Sequence, residues 1–226
     1  MRRRQKPMVD ELLTNASIIG APNSEAPTNV ATEMIDVVFD LEGAFVPEGY
    51  PFVLWSEVAR CMPWMEDEKN AGIHPLRGSA SGDNTLLSKR TKLILRVSAE
   101  RSAQTVELSG QRLSIDGSIL LVGKGNERQI RAATTLHSHL VESNSGEIEF
   151  LADMKEKLQA MNISCNLICD KHRNVRGAGQ SLSGFGLVLH DLKPLSSIQI
   201  QRMGLGGARH FGCGIFVPFK AISGLD

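Results

Sequence analysis

Gly204-Leu-Gly-Gly-Ala-Arg-His-Phe-Gly-Cys-Gly214 runs directly into Ile215-Phe-Val-Pro-Phe219, and the order of that junction decides how the chain is read. Five of the eleven residues in the bend are glycine. Such backbone accepts positive φ and lets a ligand approach main-chain N–H groups. A dinucleotide loop of the Gly-x-Gly-x-x-Gly kind needs glycine where Arg209 stands, and it follows a strand and opens a helix. Here the preceding segment, Pro194 to Met203, carries proline at its first turn and reads as a helix, while Ile215 to Phe219 reads as a strand. A Walker loop needs Gly-Lys-Ser/Thr, and the chain has no such tripeptide. Two readings of the bend stay open: a tight turn that packing demands, or, with Arg209 and His210 inside it, a seat for a polyanion.

Upstream of the bend, Phe185 to His190 and Ile163 to Cys169 read as strands joined by a basic, glycine-containing connection. Gly146 to Met161 reads as a helix with Leu151, Met154, Leu158 and Met161 on one stripe, and Ala132 to Val141 as a strand. The first half repeats this order. Met34-Ile-Asp-Val-Val-Phe-Asp-Leu41 is a β-branched run, and Trp55, Val58, Ala59 and Met62 stand at helical spacing before Pro63 ends the helix. A Gly- and Ser-rich stretch, Gly72 to Asp83, leads to the strand Lys92 to Val97. Ser98 is placed to cap a short helix over Ala99 to Leu108, and Ser118 to Val122 reads as another strand. The expected fold is α+β: tandem ferredoxin-like (RRM-like) βαββαβ domains over 34–128 and 129–226, with the glycine-rich loop 204–214 near the C-terminus. Residues 1–33 read as a disordered tail, which leaves Met34 as an alternative translation start.

With 226 residues, 42% of them apolar, the chain can bury a core, and no apolar run reaches membrane-spanning length. The basic start has no central apolar stretch of a secretory signal, and four cysteines suit a reducing compartment, so a cytoplasmic protein is expected. Net charge is zero, but the charges are segregated. Residues 34–70 carry eight acids and two bases, while 171–220 carry seven bases and one acid. A second basic cluster, Arg77, Lys89, Arg90, Lys92 and Arg96, faces only Asp83 in sequence. A neutral chain of this kind can still present a positive face. Aromatic residues make up only 5%, which argues against base stacking over a broad sheet and for a grip on the backbone.

The pattern Gly204-x-Gly206-x-x-Arg209-x-x-Gly212-x-Gly214 before an apolar strand resembles the glycine-rich signature of CRISPR-associated repeat-RNA endoribonucleases. Ile35 to Leu41, Asn70-Ala-Gly-Ile-His-Pro-Leu-Arg-Gly78 and Ser88-Lys-Arg-Thr-Lys-Leu-Ile-Leu-Arg96 resemble the myxobacterial-type branch of that family. The resemblance spans about residues 34–220 and implies cleavage of precursor CRISPR RNA without a metal or other cofactor. It implies CRISPR repeat RNA, in hairpin form, as partner, further effector-complex subunits as companions, and no membrane. It also implies RNA contacts from Arg90, Gly204, Gly206, Gly207, Arg209, His210, Gly212 and Gly214, and His74 as the position matching the family's catalytic histidine. In that chemistry a 2′-hydroxyl attacks the adjacent phosphate, leaving a 2′,3′-cyclic phosphate. A base, an acid and cations then share the work. Histidine suits the proton transfers, with Arg77 and Lys89 near the phosphate and Ser79 or Ser81 as hydroxyl helpers.

His74 could be a surface histidine before a proline, and His210 is a rival catalytic residue. His137 and His139 share one strand face, where they could meet RNA or simply pack. Cys165-x-x-x-Cys169-x-x-His172 offers three ligands but no second pair at structural-zinc spacing. A subunit that binds the repeat without cutting it is the competing function.

Overall fold

The computed structural model describes residues 33–219, so the expected tail lies outside the described residues apart from Glu33. In β1 (Met34–Glu42) every second side chain, Ile35, Val37, Phe39 and Leu41, enters the core, as strand alternation requires. After β2 (Phe45–Pro47), helix α1 (Tyr50–Cys61) starts with Pro51 in its first turn and is stopped by Pro63, which opens a short 3-10 turn. The strands β3 (Gly72–Ile73), β4 (Ser79–Ser81), β5 (Asn84–Leu86) and β6 (Lys92–Ser98) follow. A 3-10 segment over Ala99–Leu108 leads to β7 (Arg112–Ile115) and β8 (Ser118–Gln129). The second half holds β9 (Leu136–Glu142), α2 (Glu147–Ala160), β10 (Asn166–Gly177), β11 (Gln180–His190), α3 (Pro194–Met203) and β12 (Val217–Pro218).

The architecture is α+β with antiparallel sheets. A five-stranded sheet has the order β3-β6-β1-β8-β7, and a four-stranded sheet the order β10-β11-β9-β12. A small third sheet, β2-β5-β4, lies beside them. Taken in chain order, β1, β3, β6 and β8 are arranged 2-3-1-4, and so are β9 to β12. Each large sheet has its own core. Val37, Phe39, Leu54, Val58 and Leu95 contribute to the first; Phe150, Met154, Leu158, Leu187 and Ile200 contribute to the second. A third cluster, Phe52 of α1 with Leu140, Leu182 and Cys213, joins the two halves.

Several elements differ from the sequence expectation. The basic connection between the predicted strands is itself strand: β10 and β11 run on as a ribbon to Gly177 and Gln180. Their two-residue turn, Ala178 and Gly179, has positive φ at both positions, the hairpin geometry that matches strand twist. Asp116-Gly117 closes β7 onto β8 in the same manner. The segment after Ser98 is 3-10 rather than α, and the Ser98 side chain makes no cap bond. The last strand is shorter than expected, Val217–Pro218; Ile215 and Phe216 before it are buried, and the Phe216 carbonyl accepts from Arg96 rather than from a strand partner. At the rim of the first sheet, Glu57 of α1 accepts a hydrogen bond from the Ser114 N–H of β7 through Oε2 at 3.0 Å. No described helix is long and apolar enough to cross a membrane.

Candidate nucleic-acid interface

The face of the first sheet opposite its core carries a charged row, because Asp36 on β1 pairs in register with Arg96 on β6 and Arg128 on β8. Arg96, 1% exposed, donates from Nε to Asp36 Oδ1 at 2.8 Å. Its Nη1 donates at 2.8 Å to two carbonyls of the other half, Gln201 O in the last turn of α3 and Phe216 O after the glycine bend. Arg128 reaches Asp36 Oδ2 at 2.9 Å from the solvent side. Burial works to raise the Asp36 pKa, but His74 and Arg96 beside it outweigh that and hold the carboxyl well below its usual range.

His74 leaves β3 with its N–H donated to Ile94 O at 2.9 Å. Its side chain is 6% exposed and its Nε2 stands 3.3 Å from Asp36 Oδ1, close but not aligned for a hydrogen bond. Burial and the Arg96 charge pull the imidazole down to about 4, against the opposing pull of Asp36, so the ring is neutral near pH 7. The alternative reading of His74 as a surface histidine before a proline therefore does not match its place in the fold. Asp36 and Arg96 stand beside it, and the residues on either side of it, Ile73 and Pro75, meet Gly212 of the second half.

From His74 the chain passes Pro75, whose ring lies where a side chain at Gly212 would point, and Leu76, whose N–H donates to the buried Tyr50 hydroxyl at 2.8 Å. It emerges at Arg77, which is exposed. Thr91 Oγ1 donates to Arg77 O at 2.8 Å and fixes this stretch beside the exposed turn that carries Lys89 and Arg90. Ser79 and Ser81 lie exposed on β4. The fold thus gathers Arg77, Lys89 and Arg90 in one exposed region, and Pro75 connects the start of that region to Gly212 in the glycine bend.

The bend has a buried base and an open tip. Gly204, Leu205, Gly212 and Gly214 are buried, and a side chain at Gly204 or Gly214 would collide with backbone or with Arg209. Gly206, Gly207 and His210 are exposed. Among the described residues, the N–H groups of Gly206, Gly207, Ala208 and Arg209 donate to no backbone carbonyl, and Ala208 takes the left-handed conformation with φ 55°. Consecutive unpaired amides of this kind form an anion-receptive concavity.

Arg209 corrects the sequence reading most sharply. Expected to meet phosphate, it turns inward, 5% exposed, and donates from Nε to Asn70 O at 3.1 Å and from Nη2 to Arg202 O at 3.3 Å. Burial and the nearby Arg96 charge draw it down to about 10, which leaves it a cation at neutral pH. His210 instead lies on the surface, its ring stacked on Trp55 of α1 with centroids 4.7 Å apart. Burial lowers its pKa as well. No sequence signal marked Trp55 for this role beyond its place in the helical stripe.

On the second sheet, His137 faces Asp170 at 3.9 Å and its ring lies 5.3 Å from that of Phe219, while Arg173 binds Asp170 at 2.8 Å. His172 bonds the Ser183 hydroxyl at 2.9 Å. Among the described residues, no group of three or more His, Cys, Asp or Glu is arranged to hold a metal ion.

Two sheet-bearing halves with a glycine-rich bend seated at their junction define a class of two-part α+β proteins, and comparison with known proteins places the chain within it. The family model described as Cas6 Crispr matches residues 35–221. A CRISPR-associated endonuclease Cas6 of Myxococcus xanthus (strain DK1622) is 30% identical over 186 residues, 81% of each chain. The chain belongs to the Cas6 family of CRISPR-associated endonucleases. Among solved structures, a Cas6-related gene product from Pyrococcus furiosus superposes with TM-score 0.60 at 11% identity, over 81% of this chain and 98% of that one. A protein described as a RAMP protein binding different RNA substrates gives TM-score 0.60 at 12% identity, over 82% and 100%. At such identities these two likenesses concern the fold.

Proposed function

We propose that this chain cuts CRISPR repeat RNA into guides by attack of a 2′-hydroxyl on the neighbouring phosphate, leaving a 2′,3′-cyclic phosphate and a 5′-hydroxyl, without a metal. Family membership and the 30%-identical endonuclease support the activity. The identical 2-3-1-4 strand orders support reading 34–128 and 129–226 as ferredoxin-like domains. The observation that carries the proposal is the open tip of the glycine bend. Its free amides at Gly206 to Arg209 precede an accessible histidine, His210, and Pro75 ties the base of the bend at Gly212 to the segment that leads to Arg77. A phosphate seated there meets main-chain donors, and the Glu142 carboxylate beside Gly207 has to swing aside to admit it. A repeat hairpin gripped by its backbone needs no aromatic platform. The product's place would be a CRISPR ribonucleoprotein in the cytoplasm.

His210 is the proton-transfer residue this geometry favours. It is exposed beside the free amides, and the Trp55 ring fixes its plane. Its lowered pKa keeps the imidazole neutral at pH 7, the form that accepts a proton from a 2′-hydroxyl. A second reading keeps His74 as the base, on the observation that its Nε2 has no hydrogen-bond partner and faces a carboxylate, as an oriented base would. That reading requires the junction to open on RNA binding. The two are separated by cleavage of a cognate repeat in EDTA by His210→Ala and His74→Ala. We expect His210→Ala to cut about 10²–10⁴-fold more slowly with affinity retained. Full activity in His210→Ala with loss in His74→Ala reverses the assignment. Binding without cutting by the unaltered chain makes it a repeat-binding subunit.

A further inference from the structure

We infer that Arg96 is a positioning residue for RNA binding, because its single Nη1 holds both stems of the glycine bend. Gln201 lies three residues before Gly204, and Phe216 two residues after Gly214. Their carbonyls accept from the same guanidinium nitrogen, each at 2.8 Å. The remaining donors, Nε and Nη2, are committed to Asp36 at 2.8 and 3.3 Å, so the planar fork cannot rotate without breaking four contacts. The bend is held in return from its own side. Arg209, inside it, donates to Asn70 O just before β3, and Gly72 comes so close to Arg209 and Ile215 that any side chain there would clash. The first sheet therefore braces both stems of a loop that belongs to the second half, adding to that loop's own Leu205 N–H to Gly214 O bond at 3.4 Å, and so helps to hold the spacing of the free amides at the tip. Asp36 has the same role one step removed, fixing the guanidinium plane. No other described cation spans both stems.

This inference rests on the glycine tip being the phosphate seat. Three variants keep the two ideas apart: Gly207→Asp, which places a carboxylate at the tip, Arg96→Lys and Asp36→Asn. For each, repeat-RNA affinity, KM and kcat are measured well below the variant's own Tm, together with deuterium uptake over 201–216 and over the β10–β11 ribbon. Lysine keeps a cation beside Asp36 but cannot serve two carbonyls and a carboxylate in one plane. Arg96→Lys is expected to weaken binding about tenfold or more through KM, with kcat little changed. Deuterium uptake should rise over 201–216 while the ribbon stays as in the unaltered chain. A residue that only stabilises the fold would lower Tm and leave the affinity of the folded molecules alone, and that result overturns the inference. Unchanged binding in Gly207→Asp refutes the phosphate seat itself. Loss in Gly207→Asp with full affinity in Arg96→Lys keeps the seat and discards the positioning role. Should Arg96→Lys fail to fold, Asp36→Asn carries the same expectation. Unfolding of both assigns the cluster to overall stability and ends the proposal.

Discussion

Acidification should destabilise this protein well above the pH at which carboxylates protonate, and His74 is the reason. Its folded pKa is depressed to about 4 from 6.5, first by burial and then by Arg96, so in the folded chain it resists a proton that the unfolded chain accepts readily. The unfolded state therefore binds more protons between those values, and stability rises with pH through that window. Going from pH 7 to pH 5 costs about 2 kcal/mol from this group alone. For a body of this size that corresponds to a fall in Tm of about 4–8 °C. Asp36 adds to the loss only at lower pH, because its depressed pKa keeps it ionised until the medium is strongly acid. His139, lowered to about 4, and His137 and His210, also lowered, act in the same direction. The diagnostic quantity is thus the difference in slope between the unaltered chain and His74→Gln, followed by thermal unfolding at half-unit steps from pH 5 to 7.5. The variant should start less stable and show a flatter profile. Parallel profiles would refute the claim that a buried neutral imidazole sits at the junction.

Phe52→Ala removes the ring at the centre of the cluster that joins the halves and should cost about 3–5 kcal/mol in urea unfolding, with unfolding of the two sheets separating into two transitions. Gly72→Ala puts a methyl 2.7 Å from Ile215 and 2.9 Å from Arg209 O, and it should lower Tm and loosen the bend's proteolytic protection. Neutralising Arg77, Lys89 and Arg90 together should flatten the dependence of log K on log salt by about two to three units if all three meet phosphate, and an unchanged slope would remove them from the interface. Trp55→Ala, which frees the His210 ring, should reduce kcat more than affinity in the repeat-cleavage assay.

Much of the fold was legible because local chemistry and tertiary burial agree. Pro194 opens α3, Pro63 closes α1, and the alternation of Ile35, Val37, Phe39 and Leu41 is that of a strand covered on one side. The β10–β11 ribbon was missed because its distal half carries Lys171, His172, Arg173, Asn174 and Arg176, with no continuous apolar face to mark it as strand. Its only strong signal is Ala178-Gly179, a turn that composition alone disguises as loop. The small strands β2, β4 and β5 are too short for any period to register. Within the site, the glycines and the gathering of Arg77 with Lys89 and Arg90 follow from the sequence plus one tertiary bond through Thr91. The inward turn of Arg209 and the enclosure of His74 do not. A cation in a glycine loop and a histidine before proline both look solvent-facing until partners more than twenty residues away, Asn70 for one and Asp36 for the other, are in place.

The carboxylate of Glu57 on the Ser114 amide has a bearing on how the protein behaves at high concentration. A border strand with open amides invites a neighbour molecule to extend the sheet. Here a helix side chain has already occupied one of those donors, and the same side chain is braced by Arg60. Glu57→Ala would uncover that border, and light scattering in concentrated solutions would register any growth of ordered aggregates from it.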